Sequence, residues 1–497
     1  MKNGSGSNYP VLNLVVVDNP KSVDLQLPNV EVISARTYIT SDAYGTKTRA
    51  RVFNLCRSYK YQSIGYYVSL LAEARGHRPL PSIDTINDLR VQPVIRVAGQ
   101  DLLDKIARSL KPLKSDEFEV SIYFGRNTAA RYDALSNAIF NQFPAPLLRA
   151  RFGRTLSQQW ELDSVRLIGL AEVPDSHVPF LIESAARYFE KTPRRRTPKP
   201  AKYALAILYD PEAKHQPSNE RAIKRFVEAA EARSMRAELI ERDAYGRLSE
   251  FDALFIRETT AVNHHTYRIS RRARAQGLVV VDDPESILRC TNKVFLKELL
   301  ERHRLAIPRS IIITEDSAGL VAENLGFPCV VKRPDESFST GVHKFETQEA
   351  FDTAKDELFR TSELLIVQEF MPTSFDWRVG ILNRTPLFAC RYHMARRHWQ
   401  IVKHTAGDME SGAVDSIPVD QAPSKVIALA TQAASLIGNG LYGVDIKEVN
   451  GRPYVIEIND NPNIDAGYED QVLKDELYDR VIRYFIEQIE ARRAARV

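Results

Sequence analysis

The stretch Gly443-Val444-Asp445-Ile446-Lys447-Glu448-Val449-Asn450-Gly451-Arg452-Pro453-Tyr454-Val455-Ile456-Glu457-Ile458-Asn459 constrains this chain more than any other. It reads as two strands joined at Asn-Gly, the dipeptide that most favours a tight hairpin turn. Val444, Ile446, Tyr454, Ile456 and Ile458 occupy even positions, whereas Asp445, Glu457 and Asn459 occupy odd ones. Side chains alternate across a strand, so each strand has one apolar face and one oxygen-bearing face. Both apolar faces meet a single core only if even residues pair with even. A two-residue Asn450-Gly451 loop pairs odd with even and splits the carboxylates across the sheet. The pattern therefore predicts a three-residue loop or one bulge, with Gly451 at positive φ. Asp445, Glu457 and Asn459 then gather hard oxygen donors on the non-core face, a set suited to a divalent cation such as Mg²⁺. The alternative for this stretch alone is the solvated outer face of an ordinary hairpin.

Size and charge narrow the remaining choices. A chain of 497 residues has room for two to four domains. With 44% hydrophobic and 27% charged residues it has the composition of a soluble globular protein. The net charge of +4, from 68 basic against 64 acidic residues, sets up no global field for nucleic acid or anionic membrane, so neither is an expected partner. No apolar run approaches the roughly 20 residues that a membrane span requires. The segment Met1–Ser7 lacks the apolar core of a signal peptide, and Val11–Val17 reads as a first strand. Cys56, Cys290, Cys329 and Cys390 are scattered without paired spacing. That argues against a zinc site or a disulfide framework and makes a reducing cytoplasm the expected location.

The fold class expected is α/β and α+β multidomain. Residues 1–190 read as an N-terminal α/β domain, with strands at Val11–Val17 and Val120–Phe124 and helices at Tyr61–Ala74 and Arg131–Phe143. The tyrosines around Cys56–Tyr67 are expected to pack with their hydroxyls at the rim. Residues 191–201 form a basic, proline-rich linker that should run extended. From 202 to 290, strand and helix patterns alternate, which implies a small parallel sheet covered by helices. It lacks a glycine-rich dinucleotide fingerprint. From 291 to 497 the pattern becomes strand-rich, opening with Thr291 as the cap of a helix carrying Leu296, Leu299 and Leu300.

Two further segments carry chemistry. Phe327–Pro334 is a buried-type strand ending in Lys332, and it runs into the small-residue loop Asp335–Gly341. Such a loop offers backbone N–H groups to phosphate while the lysine supplies charge. Leu364–Phe370 is a second buried strand with a polar end, and its exposed backbone suits an adenine–ribose slot.

In order, Thr291-Asn292-Lys293, Val331-Lys332 with its loop, Gln368-Glu369-Phe370, Asp376-Trp377-Arg378, Arg391, Gly443-Val444-Asp445 and Glu457–Pro462 resemble the ATP-grasp superfamily. They most resemble its RimK-like glutamate ligases, in the long form with an extra N-terminal domain. The resemblance covers about residues 203–485 and is most specific at its end. It implies a small parallel-sheet domain followed by a two-lobed module with ATP between the lobes. By position, Lys293 and Lys332 should contact phosphates, and Ser339 and Gly341 lie in the phosphate loop. Gln368, Glu369 and Phe370 should form the adenine hinge, and Asp376 should touch the ribose. Asp445, Glu457 and Asn459 should hold two Mg²⁺ ions, with Mn²⁺ as a substitute. Arg378 and Arg391 should face the γ-phosphate and the acyl group as the catalytic residues, and Asp335–Gly341 is the expected lid. The implied reaction joins a carboxylate to an amine through an acyl phosphate, with small-molecule or peptide substrates and a homo-oligomer as the family's habit. Between Arg391 and Asp445 the chain departs from the family's Phe-Arg-Ser-Asn-like run. It has instead Arg396, Arg397 and His398-Trp399-Gln400-Ile401-Val402-Lys403-His404, so the resemblance does not name the acid. A kinase of the same fold and a non-catalytic nucleotide-binding scaffold are the alternatives.

Overall fold

The computed structural model describes residues 12–22, 25, 27, 30–45, 50–90, 100–155, 158–190, 201–213, 216–242, 244–335, 341–395, 399–405 and 408–495. The linker at 191–200, most of the expected lid including Ser339, and Arg396, Arg397 and His398 lie outside the described residues. The chain divides into two compact units, one of residues 1–202 with 243–250, the other of 203–242 with 251–495.

The first unit holds a four-stranded parallel sheet in the order β2-β1-β3-β4, from β1 (Leu12–Val17), β2 (Glu31–Ser34), β3 (Ala50–Asn54) and β4 (Arg78–Leu80). Successive β1 residues feed two cores: Leu14 and Val16 pack with Tyr38 and Val68, and Val15 and Val17 join the core of Phe53 and Tyr123. An apolar run buried on both faces is what a covered parallel sheet requires. A three-stranded antiparallel sheet follows, from β5 (Glu117–Tyr123), β6 (Leu147–Arg154) and β7 (Trp160–Leu167). The tyrosine-rich segment divides. Tyr59 is buried and its hydroxyl donates to the Asn54 carbonyl (2.7 Å), whereas Tyr61 is 61% exposed.

The second unit begins with a parallel sheet ordered β11-β10-β8-β9, from β8 (Tyr203–Leu208), β9 (Met235–Ile240), β10 (Ala253–Ile256) and β11 (Val279–Val281). Every residue of β8 is buried. The helix Glu220–Ala232 packs on this sheet, its first turn closed by the Asn219 side chain. Further along, Thr291 does not cap the helix as expected. Its hydroxyl donates back to the Ile287 carbonyl (2.8 Å) and ends the helix Pro284–Thr291, while Asn292 caps Lys293–Arg302 by accepting from the Phe295 N–H (2.9 Å). Asn292 serves better because its amide oxygen reaches the open N–H groups of the first turn.

Two antiparallel sheets complete the unit. The smaller, β12-β15-β13-β14, comprises β12 (Ser310–Ile313), β13 (Cys329–Lys332), β14 (Val342–Phe345) and β15 (Leu365–Glu369). Its Cys329, Val331, Leu365 and Val367 pack with Phe351 and Leu358 of the helix Gln348–Phe359, which leaves Lys332 and Gln368 on the other face. The larger, β20-β17-β16-β21-β22, follows β16 (Phe375–Leu382), β17 (Thr385–His393), the two-stranded ribbon β18 (Val402–Thr405) and β19 (Asp408–Ser411), β20 (Val414–Ile417), β21 (Leu441–Val449) and β22 (Arg452–Asn459). The helix Ser424–Ile437 covers one face through Val426, Ala430 and Ala433, packed with Trp377, Val379, Val444 and Ile446.

The terminal hairpin resolves its parity conflict with a bulge. Its loop is the two-residue Asn450-Gly451, with φ of +53° and +72°. Val449 therefore pairs with Arg452 and Ile446 with Val455, odd against even. One register shift follows, and beyond it Asp445 pairs with Glu457 and Gly443 with Asn459. The bulge is close to the carboxylates rather than at the turn. On the turn side of it Val455 is the core residue, and Tyr454 pairs with Lys447 on the other face, which corrects the expectation for Tyr454 and Ile456. The reason is that the tight turn sets register locally and only the extra residue restores it.

Candidate active site

The uncovered faces of the two antiparallel sheets supply the polar residues. From the smaller sheet comes Lys332, whose ammonium donates to Gln368 Oε1 (2.9 Å), while the Gln368 amide donates to Ser310 Oγ (3.1 Å). Burial brings the Lys332 pKa down to about 8, with Glu457 and Asp376 acting to raise it and Lys293 and Lys447 to lower it. Those four groups therefore surround it. Lys293 Nζ lies 4.0 Å from Glu457 Oε1, across from the larger sheet.

On the larger sheet, Arg378, Asp445 and Glu457 stand in one row across β16, β21 and β22. Arg378 grips Asp445 with a two-pronged contact, Nε to Oδ1 at 2.6 Å and Nη2 to Oδ2 at 2.7 Å. Burial acts against the Arg378 charge, but the Asp445 carboxylate outweighs it and the pKa rises. The Asn459 amide donates to Asp445 Oδ2 (3.3 Å). The three expected metal ligands therefore share one face and one neighbourhood. Glu457 is more open than Asp445, the side chains being 34% and 11% exposed. Among the described residues no group of three Cys, His, Asp or Glu side chains could hold a metal. Two carboxylates and an amide oxygen suit a hard cation that takes its remaining ligands from phosphate and water.

The expected hinge residues make contacts of their own. The Glu369 carboxylate accepts from the Arg309 N–H (2.7 Å), which seals the edge between β12 and β15. Phe370 packs edge-on to Trp399, with ring centroids 5.8 Å apart, and Lys344 Nζ stands 4.0 Å from its ring. Asp376 accepts from Lys447 Nζ (2.6 Å) and from Thr373 Oγ1 (2.8 Å). Burial is the largest influence on Asp376 and raises its pKa despite Lys447. Gly341, at φ +70°, accepts through its carbonyl from the Arg333 N–H (3.4 Å).

Arg391 does not join this set. It pairs with Trp377 across β16 and β17, whereas Arg378 pairs with Cys390, so the two arginines point to opposite faces. The Arg391 guanidinium stacks on Phe375 and Trp377 at about the same distance from each, 5.1 and 5.0 Å. An even-numbered neighbour, Tyr392, takes the expected place. Arg378 lies over its ring at 4.7 Å, and its hydroxyl donates to the buried Glu469. Sequence reasoning also missed Lys447, although its spacing of two from Asp445 on one strand marks it for the same face.

Taken together, lysines and carboxylates from two sheets and a helix face one another. Comparison with known families gives the class. Residues 35–184 match the model of the RimK-like ATPgrasp N-terminal domain, and residues 290–464 match that of the ATP-grasp domain. The chain therefore carries an ATP-grasp domain and, ahead of it, the N-terminal domain that accompanies RimK-like members of that group. It is 22% identical over 262 residues to a probable alpha-L-glutamate ligase of Rhodopirellula baltica, a match spanning 49% of this chain and 63% of that one. It is 25% identical to a probable alpha-L-glutamate ligase of Aeromonas salmonicida, over 48% of this chain and 85% of that one. Among solved structures, D-alanine--D-alanine ligase from Bacillus anthracis superposes with a TM-score of 0.46 at 14% identity, covering 59% of this chain and 99% of that one.

Proposed function

We propose that this protein is an ATP-dependent, ADP-forming carboxylate–amine ligase that makes an amide or peptide bond through an acyl phosphate. The observation that carries the reading is the meeting of Lys293, from a helix, with Lys332, Asp445, Glu457 and Asn459, from two sheets. An amine does not displace hydroxide from a carboxylate at useful rates, whereas a phosphorylated carboxylate has a good leaving group. The protein must gather several anions without repulsion. Lys293 and Lys332 neutralise phosphate charge as it shifts during transfer. Asp445, Glu457 and Asn459 would hold Mg²⁺, two ions in full occupancy with Mn²⁺ as a substitute. Bound there, the metal polarises the phosphoryl oxygens. Phe370 and the backbone at Glu369 face the adenine, and the Asp376–Lys447 pair offers an acceptor and a donor to the ribose. Arg378, fixed by Asp445, presents its remaining N–H groups to the tetrahedral oxyanion.

By likeness to the probable alpha-L-glutamate ligases, the substrates are an amino acid or peptide carboxylate and an amine; a cytoplasmic homo-oligomer is our own reading of the setting. The test is ADP release with Mg²⁺ across pairs of amino acids, followed by mass analysis of the product. A ligase releases ADP when acid and amine are both present. Equal release with the amine omitted, and a phosphorylated product, would make it a kinase.

A further inference from the structure

We infer that Arg257 is a positioning residue for the metal-binding strand, acting through the turn that leaves it. The inference rests on the ligase reading of the cleft. Arg257 follows β10 at the carboxyl end of the parallel sheet, where a ligand contact is the usual reading of an arginine. Its surroundings exclude that reading. The side chain is fully buried, and four of its N–H groups are already donated to protein. Nε donates to Ser218 Oγ (3.0 Å) and Nη1 to Asn461 Oδ1 (2.7 Å), while Nη2 donates to the carbonyls of Pro462 (2.8 Å) and Pro217. Burial pulls the Arg257 pKa down to about 10, with Asp282, Asp465 and Glu469 acting the other way. Among the described residues no carboxylate bonds the guanidinium, so an apolar residue would occupy the space with a smaller desolvation penalty. What an apolar residue lacks is the planar fork.

The fork fixes the two residues that decide where Asn459 points. Asn461 is held at both ends, because its amide nitrogen also donates to the Glu258 carbonyl (2.6 Å). Pro462 folds back onto β21, so closely that a Cβ on Gly443 would fall 2.7 Å from Pro462 Cβ. Gly443 is the register partner of Asn459 and lies two residues from Asp445. Arg257 thus clamps the exit of β22 from one side and Gly443 receives it on the other. The device is a brace one contact further out than the groups bonded to a ligand, whose loss weakens metal affinity about 10- to 100-fold, so the low end of that range is expected.

The test uses the full chain with a non-hydrolysable ATP analogue and Mn²⁺, whose free concentration is read by electron paramagnetic resonance. Arg257→Lys keeps the charge and removes the fork, and Asn461→Ala removes the contact from the other end. The expected result is Mn²⁺ affinity at least tenfold weaker in both, with analogue affinity in EDTA within twofold of wild type. A merely structural role lowers the melting temperature without moving the Mn²⁺ affinity of the folded protein. Unchanged Mn²⁺ affinity in whichever variant keeps the wild-type circular dichroism spectrum overturns the inference. Failure of the wild-type chain to bind Mn²⁺ with the analogue would instead sink the ligase reading.

Discussion

Asp445 and Glu457 look interchangeable in sequence but differ in what they hold. Asp445 anchors Arg378, with both side chains largely buried, whereas Glu457 is a third exposed, meets Lys293 at the limit of an ion pair and lies near Lys332. Breaking a buried pair by removing one partner costs about 3 kcal/mol or more, since the other charge stays behind. Asp445→Asn is therefore expected to lose turnover and about 3 kcal/mol of stability. Glu457→Gln is expected to lose turnover with stability changed by no more than about 0.5 kcal/mol. Urea denaturation alongside ADP release measures both, and equal stability of the two variants would contradict the Arg378 anchor. Lys332 adds a pH signature. Its pKa of about 8 means that the charged form fades as pH rises through that value. Metal-free ADP affinity should fall above pH 8, by up to about tenfold per pH unit, and Lys332→Arg should flatten the profile because arginine stays protonated. The stability effect has the opposite sign. An unfolded lysine titrates near 10.5, so between about 8 and 10.5 the unfolded chain binds more protons and stability rises with pH.

At the level of elements, the hairpin shows what sequence could and could not deliver. The alternation of Val444, Asp445 and Ile446 against Glu457, Ile458 and Asn459 required all three oxygen donors to share a face, and they do. The same pattern demanded a bulge or a longer loop without saying which. Both solutions satisfy parity, and only packing of Val455 against the covering helix selects between them. Arg391 was misplaced for a related reason: matching a motif by order does not count strand parity against Trp377. The bonds from Lys447 to Asp376, from Arg309 to Glu369 and from Arg257 to its four acceptors were illegible because each joins residues far apart in the chain. Deleting Ile456, the extra residue, should keep Val455 inward and Glu457 outward and so retain Mg²⁺-dependent turnover. Deleting Ile458 should turn the Asn459 amide into the core and abolish it. Turnover assays on the two deletions decide this, and loss in both would refute the bulge's role.

For the whole molecule, every residue assigned to nucleotide or metal comes from the second unit. A chain starting at residue 201 is expected to bind a fluorescent ADP analogue within about threefold of full-length affinity, a difference under 1 kcal/mol. Its melting temperature should drop, because residues 243–250 group with the first unit, where Gly246 meets Phe140 and the Asn141 amide. Undetectable binding by a folded truncation would show that the first unit shapes the nucleotide cleft. Composition and net charge carry no hint of this division; the proline-rich linker and the order of the motifs after it do.

The coupling of a two-residue turn to one extra residue restricts how this ribbon can evolve. Lengthening the turn by one position would reverse which side every later donor occupies, unless the inserted residue in the outgoing strand were lost at the same time. Descendants of this sequence should therefore gain or lose the two together, and turn length read alone from any relative should forecast whether its outgoing strand carries the irregularity.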